Sequence, residues 1–266
     1  PSPPSLLTSM LAARAVDDAA TDSSTPAAAM MMTDTQVRDE LMTMLVAGQE
    51  TSAIALAWCV ALLAHHPDAG AKAAEAVDGV LGPPGSARAP SPADAGRLPY
   101  LEAVLLEALR LLPPAYIVGR CTSGGVADFG PGGAYALPPG TTLLVSPWLL
   151  HRAPRAWGRP REFWPERWLP LLEGEGGSPR PSGPGGLRSA AVLAGLGPNG
   201  AFAPFGAGPR VCIGATFALM EGVLVLAAAA SAARFEPEAP GAPFPAAAAR
   251  ITLRPEAVLV RLVRRE

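Results

Sequence analysis

The sequence predicts a mainly α-helical protein with small β-sheets, and three observations carry that prediction. Residues 35–65 contain a single glycine, Gly48, and no proline before Pro67. Apolar segments of helical length recur at 98–112 and 214–233. Short β-patterned stretches lie between glycine and proline turns in the middle and at the end of the chain.

Each element follows in order. Residues 1–32, rich in Ala, Ser, Thr and Pro with a short helix around 6–16, read as a low-complexity linker ahead of a folded region at 33–266. Thr33 and Gln36 offer a capping box for the long helix, which at about 1.5 Å per residue would extend about 45 Å. It is apolar on most faces between Leu41 and Ala64, which predicts a buried central helix. The polar group Gln49, Glu50, Thr51 and Ser52 in its middle needs a separate reason. A shorter helix is expected over 68–81, and another over 98–112 that Pro113 and Pro114 end. Strands are expected at 116–121, 134–137 and 141–145. An irregular stretch rich in Pro and Trp covers 151–169, and a Gly/Pro/Ser loop continues to about residue 200. The last helix covers 214–233, and 251–254 with 257–263 alternate as a terminal hairpin.

Composition removes several function classes. Glycine (28) and proline (31) make up about a fifth of 266 residues, against a usual combined share of roughly 12%, so long irregular connections are expected around an ordered core. A net charge of -2 and a pI near 6.0 leave no broad basic field, which argues against nucleic acid as a partner. Cys59, Cys121 and Cys212 are odd in number with no CxxC pair, so neither a disulfide framework nor a thiolate zinc site is expected. The longest unbroken apolar run, 53–64, is about 12 residues against the roughly 20 that span a bilayer, so no membrane-crossing helix is expected. The chain opens on Pro1 rather than Met, and its natural N-terminus is expected upstream. Neither G-x-x-x-x-G-K-[ST] nor G-x-S-x-G occurs, so nucleotide hydrolysis and serine hydrolysis have no support.

The informative segment is FAPFGAGPRVCIGATFALME, residues 202–221. Glycines 206, 208 and 214 permit tight turns and close approach of a flat ligand, while Pro204 and Pro209 restrict the loop. The result is a stiff loop that presents Cys212. Just beyond it a helix begins, whose unpaired N–H groups and positive dipole end favour an ionised thiolate. Arg210 could reach a carboxylate on the ligand. Cys59 and Cys121, by contrast, read as small buried hydrophobes.

Phe205, Gly208, Arg210, Cys212 and Gly214 spell F-x-x-G-x-R-x-C-x-G, which resembles the haem-binding signature of the cytochrome P450 superfamily. The resemblance covers residues 33–266 and implies the C-terminal part of that fold, a long central helix plus a thiolate haem-binding loop, with the N-terminal helices missing. It implies haem b (iron protoporphyrin IX) with Cys212 as the axial metal ligand, Phe205 as its shield, and Arg210 on a propionate. Arg120, in PAYIVGR, stands where the family has a second propionate-binding arginine, with Tyr116, Ile117 and Val118 toward a substrate cavity.

Glu107 and Arg110 in EALR lie three apart on one helix face, amid enough leucines to predict burial. A buried pair is costly unless a further group completes it. The family's E-x-x-R is completed by an arginine from a later P-E-R, here Arg167 in FWPERW, so the resemblance implies a structural triad serving folding and haem retention. AGQET, residues 47–51, resembles the family's A-G-x-[D/E]-T: Gly48 leaves room for oxygen, Thr51 donates a proton toward it and Glu50 helps relay protons from water. HRAPRAWG departs from the family's H-R-D-P at Ala153, and His151 is left without a role. His65 and His66 read as a helix-terminal surface pair.

What the resemblance implies is a monooxygenase that inserts one oxygen atom of O2 into an apolar small molecule, with electrons from a reductase or ferredoxin. LMTMLVAGQETSA with the cysteine segment looks like the plastid carotenoid ring hydroxylase branch, with Gln49 where that branch usually has histidine. That branch implies a plastid location; otherwise the family implies a membrane-associated intracellular one through the missing N-terminal part. The alternatives are a haem-thiolate isomerase or dehydratase, against which Glu50 and Thr51 count, and a non-catalytic haem-binding fragment.

Overall fold

The computed structural model describes residues 5–12, 32–173, 187–194 and 200–266. Most of the stretch read as a linker, and much of the 170–200 loop, lie outside the described residues. The chain divides into two units, 1–50 and 51–266.

In the first unit, α1 (Leu6–Ala12) is followed by the opening half of α2 (Asp34–His65). The capping box forms in both directions: Thr33 N–H donates to Gln36 Oε1 at 2.8 Å, and Gln36 N–H to Thr33 Oγ1 at 3.2 Å. The long helix is not buried throughout, because Met42, Leu45 and Val46 are exposed. An apolar all-round helix needs cover on every side, and burial along α2 begins in earnest only at Ile54.

In the second unit the core gathers the C-terminal half of α2, α3 (Pro67–Leu81), α4 (Pro99–Leu111) and α8 (Ala215–Ala232). Each start has a local cause. Proline occupies the first turn of both α3 and α4, where its missing N–H costs nothing, and a 3-10 turn at Pro92–Arg97 feeds α4. That turn is pinned by Asp94, whose carboxylate takes both guanidinium nitrogens of Arg88 at 2.7 and 2.6 Å together with the N–H and hydroxyl of Ser91. These donors hold the Asp94 carboxyl well below the usual range. Every residue of α4 from Tyr100 to Leu111 is buried, as expected for the helix that carries Glu107 and Arg110.

The sheets are two-stranded antiparallel ribbons: β1 (Val118–Cys121) with β4 (Thr142–Val145), β2 (Val126–Phe129) with β3 (Tyr135–Leu137), β5 (Ala233–Pro237) with β8 (Val260–Arg264), and β6 (Ala247–Ala249) with β7 (Leu253–Pro255). The expected terminal hairpin between 251–254 and 257–263 does not form. Instead β5, which leaves α8 without a loop, takes β8 as its partner from Ala233↔Arg264 to Pro237↔Val260. Leu253 is held elsewhere, its N–H donating to Pro114 O at 2.9 Å and its carbonyl accepting from Trp58 Nε1 at 3.0 Å. The turns α5 (Pro147–Leu150), α6 (Leu169–Glu173) and α7 (Ser189–Ala194) lie in the stretch read as irregular or just before it.

Three further expectations are corrected. Cys59 is buried, and burial pushes its thiol up, but Cys121 is exposed because the β1–β4 ribbon bares its outer face. His65 and His66 are half-buried rather than a surface pair: His65 lies edge-on to Phe244, and His66 packs on Phe163 with its Nδ1 2.8 Å from Leu62 O. Helices α2 and α8 are each long and apolar enough to cross a membrane by length and composition, because each stays apolar on average across charged breaks such as Glu50 and Glu221. In α8, Leu219, Val223, Leu226 and Ala227 are nonetheless buried in the core.

Candidate functional site

The cysteine loop begins in the core and ends in solvent. Phe202 is fully buried, 4.6 Å from the Trp168 ring and 5.0 Å from the His151 ring. Ala203 N–H donates to His151 Nε2 at 2.9 Å. The chain then turns back, with Gly206 N–H on Ala203 O at 3.1 Å and Cys212 N–H on Phe205 O at 3.0 Å. Gly206 and Gly208 have φ of 75° and 74°, a left-handed conformation that side-chain-bearing residues rarely adopt, so the turns depend on glycine.

Cys212 is exposed, with Val211 at 51%, Ile213 at 86% and Phe217 at 64% exposure around it in sequence. Exposed apolar side chains beside a free thiol suit a flat, largely apolar ligand whose metal takes a soft sulfur. Gly214, the N-cap of α8, keeps the sulfur uncovered: a Cβ there would stand 3.8 Å from Cys212 Sγ. Helix α8 starts at the next residue, its positive dipole end beside the thiol. Arg210 is exposed on the same loop, within a 3-10 turn at Gly208–Arg210. Arg120 is exposed on β1, opposite Leu143, and its Nη1 donates only to the adjacent Gly119 O at 2.7 Å among the described residues. The donor set of one thiol and exposed guanidinium groups fits haem, with its iron and two propionates.

Glu107, Arg110 and Arg167 come together in the interior. Arg110 Nε and Nη2 donate to the two Glu107 oxygens at 2.8 and 2.9 Å, and Arg167 Nε donates to Oε1 at 3.1 Å. Trp168 Nε1 at 2.9 Å and Trp164 N–H at 3.0 Å complete five donors on one carboxylate. Arg110 spends its three remaining protons on the carbonyls of His151, Pro160 and Glu162, and Arg167 places two more on Gly158 and Arg159. Such completion is what lets a buried ion cluster persist.

Sequence reasoning missed the residues that join this cluster to the loop: His151, Trp164, Trp168 and Phe202. Their traces in the sequence were the H-R-A-P segment for His151, the tryptophans around P-E-R, and the start of the cysteine segment for Phe202, none of which specified these contacts. Gly48 and Glu50 lie in the first unit, and half-buried Thr51 begins the second. Tyr116 donates its hydroxyl to Arg250 O at 2.9 Å, and Ile117 is exposed beside it.

The cytochrome P450 family model matches residues 2–257. Cytochrome P450 97B2, chloroplastic, of Glycine max is 41% identical over 202 residues, 73% of this chain and 34% of that protein. Cyclooctatin synthase of Streptomyces melanosporofaciens is 40% identical over 206 residues, 77% of this chain and 39% of that one. Protein LUTEIN DEFICIENT 5, chloroplastic, of Arabidopsis thaliana is 38% identical over 209 residues, 78% and 30% of the two chains. The chain thus spans about a third of the length of the curated relatives it matches. A solved structure of a zebra fish cytochrome P450 with abiraterone superposes with a TM-score of 0.74 at 27% identity, covering 100% of this chain and 56% of that one.

Proposed function

We propose that this chain, which belongs to the cytochrome P450 family, is the haem-thiolate portion of a monooxygenase acting on an apolar small molecule. The reaction consumes a C–H bond, O2, two electrons and two protons, and yields an alcohol and water. Haem, when bound, supplies the activation of O2. The observation that carries the reading is the exposed Cys212 sulfur, presented beside apolar side chains by a loop anchored in the core.

The chain's own residues divide the work. Cys212 would ligate the iron as thiolate, helped by the start of α8 and by the left-handed turns that keep the loop stiff. Phe205 would shield the sulfur, and Gly208 and Gly214 would let the ring approach. Arg210 and Arg120 would pair with the propionates, where a planar guanidinium matches a carboxylate. Thr51 would hold a proton at Oγ1 for delivery to oxygen, and Glu50 would pass protons in from water. The electron donor is a separate reductase or ferredoxin.

The finer reading is hydroxylation of a carotenoid ring in a plastid. Two relatives named as chloroplastic, one of them for lutein deficiency, support it, as do the AGQET and cysteine segments. Cyclooctatin synthase of Streptomyces, at 40% identity, makes a substrate other than a carotenoid the outcome to test against. Cys212→Ser should abolish the thiolate-type spectrum of the reduced, carbon monoxide-bound protein, and its persistence would overturn the ligand assignment. Thr51→Ala should divert electrons to peroxide, and the haem-loaded protein incubated with carotenes should show hydroxylated rings.

A further inference from the structure

We infer that His151 is a positioning residue for the cysteine loop: its imidazole Nε2 holds Ala203 at the loop entrance and so sets Cys212 relative to the buried Glu107–Arg110–Arg167 cluster. The inference rests on the reading of Cys212 as the haem ligand.

His151 is fully buried and touches both systems. Its carbonyl accepts from Arg110 Nη1 at 2.9 Å, and its Nε2 accepts from Ala203 N–H at 2.9 Å. One residue therefore joins the ion cluster to the first turn of the loop. Beyond Ala203 the series is short: Ala203 O takes Gly206 N–H, and Phe205 O takes Cys212 N–H. A displacement of Ala203 has no slack to disappear into, because prolines 204 and 209 bracket the turns.

Stacking supports the same geometry. The His151 ring lies 5.0 Å from Phe202, which lies 4.6 Å from Trp168, whose Nε1 is bound to Glu107. An accepting Nε2 requires the proton on Nδ1, and burial pushes the imidazole down to about 3, so the ring is neutral through ordinary pH and its acceptor is always available. Histidine combines a stacking ring with an acceptor at its tip. Phenylalanine keeps only the ring, and glutamine keeps only the acceptor.

The experiment compares His151→Phe and His151→Gln with the parent protein. Backbone amide exchange across residues 203–213 is read without haem, and the thiolate-type band of the reduced, carbon monoxide-bound form is read with haem added. His151→Phe should speed exchange at Ala203 by about tenfold or more, since its amide loses its acceptor, and should lower the thiolate-type fraction. His151→Gln should recover most of both. Unchanged exchange and band in His151→Phe overturn the inference while Cys212→Ser still tests the ligand on its own, and a glutamine variant as impaired as the phenylalanine one overturns it too. If neither variant folds, nitrogen NMR of labelled histidine in the parent decides, because a proton found on Nε2 excludes the acceptor role. A Cys212→Ser protein that keeps the band removes the ligand assignment and the inference with it.

Discussion

Glu107 and Cys212 each carry an acidic side-chain group, and the fold treats them in opposite ways. Glu107 is fully buried and receives five donors, so no part of its charge is left to act on anything else. Cys212 is exposed at the start of α8, with apolar neighbours that release water readily and glycine where cover could have been. The contrast separates the part of the molecule that holds shape from the part proposed to do chemistry. A saturated cluster can only be broken, whereas an unsaturated sulfur can be used.

The comparison is broken most severely by Glu107→Ala, which leaves two guanidinium groups in the interior without their anion and should cost about 3–5 kcal/mol, read as a collapse of the denaturant midpoint. Trp168→Phe removes one donor to the same carboxylate and should cost about 1.5–3 kcal/mol. Acid should act through His151, because an imidazole held at about 3 when folded but near 6.5 when unfolded favours the unfolded state as it protonates. Its contribution is intact above pH 6.5 and is lost as the pH falls toward 3, about 2 kcal/mol by pH 5. Urea titrations at pH 7 and 5 should show the loss in the parent and not in His151→Gln. The smallest effect sharpens the contrast from the other side: Arg210→Ala and Cys212→Ser should shift stability without haem by no more than about 0.5 kcal/mol, while haem titration shows weaker binding.

Legibility in the sequence followed the range of the forces involved. Helices α3 and α4 announce themselves by periodicity and by proline at their ends, α8 by an apolar stretch opening after Gly214, and the Thr33–Gln36 cap is a local pattern. The cysteine loop was legible because glycines, prolines and sulfur sit within a dozen residues. The β5–β8 pairing was not, since Ala233 and Arg264 lie far apart in the chain with no turn signal joining them, and a three-residue strand such as β6 is too short to show alternation. Nor was His151, whose bonds reach Arg110 and Ala203, 41 and 52 residues away. The exposed face of α2 was misread because hydrophobicity states a demand for cover without saying where the cover comes from.

The partner chosen by β5 fixes an order of events. That strand leaves α8 directly, and its mate, Val260–Arg264, is synthesised only after β6 and β7. The helix that starts beside the sulfur therefore emerges from the ribosome with an open strand edge trailing from it, and the zipper closes only after about 25 further residues have followed. A ribosome stalled before residue 260 would therefore hold a nascent chain that contains the cysteine loop and β5 but lacks the strand that pairs with β5.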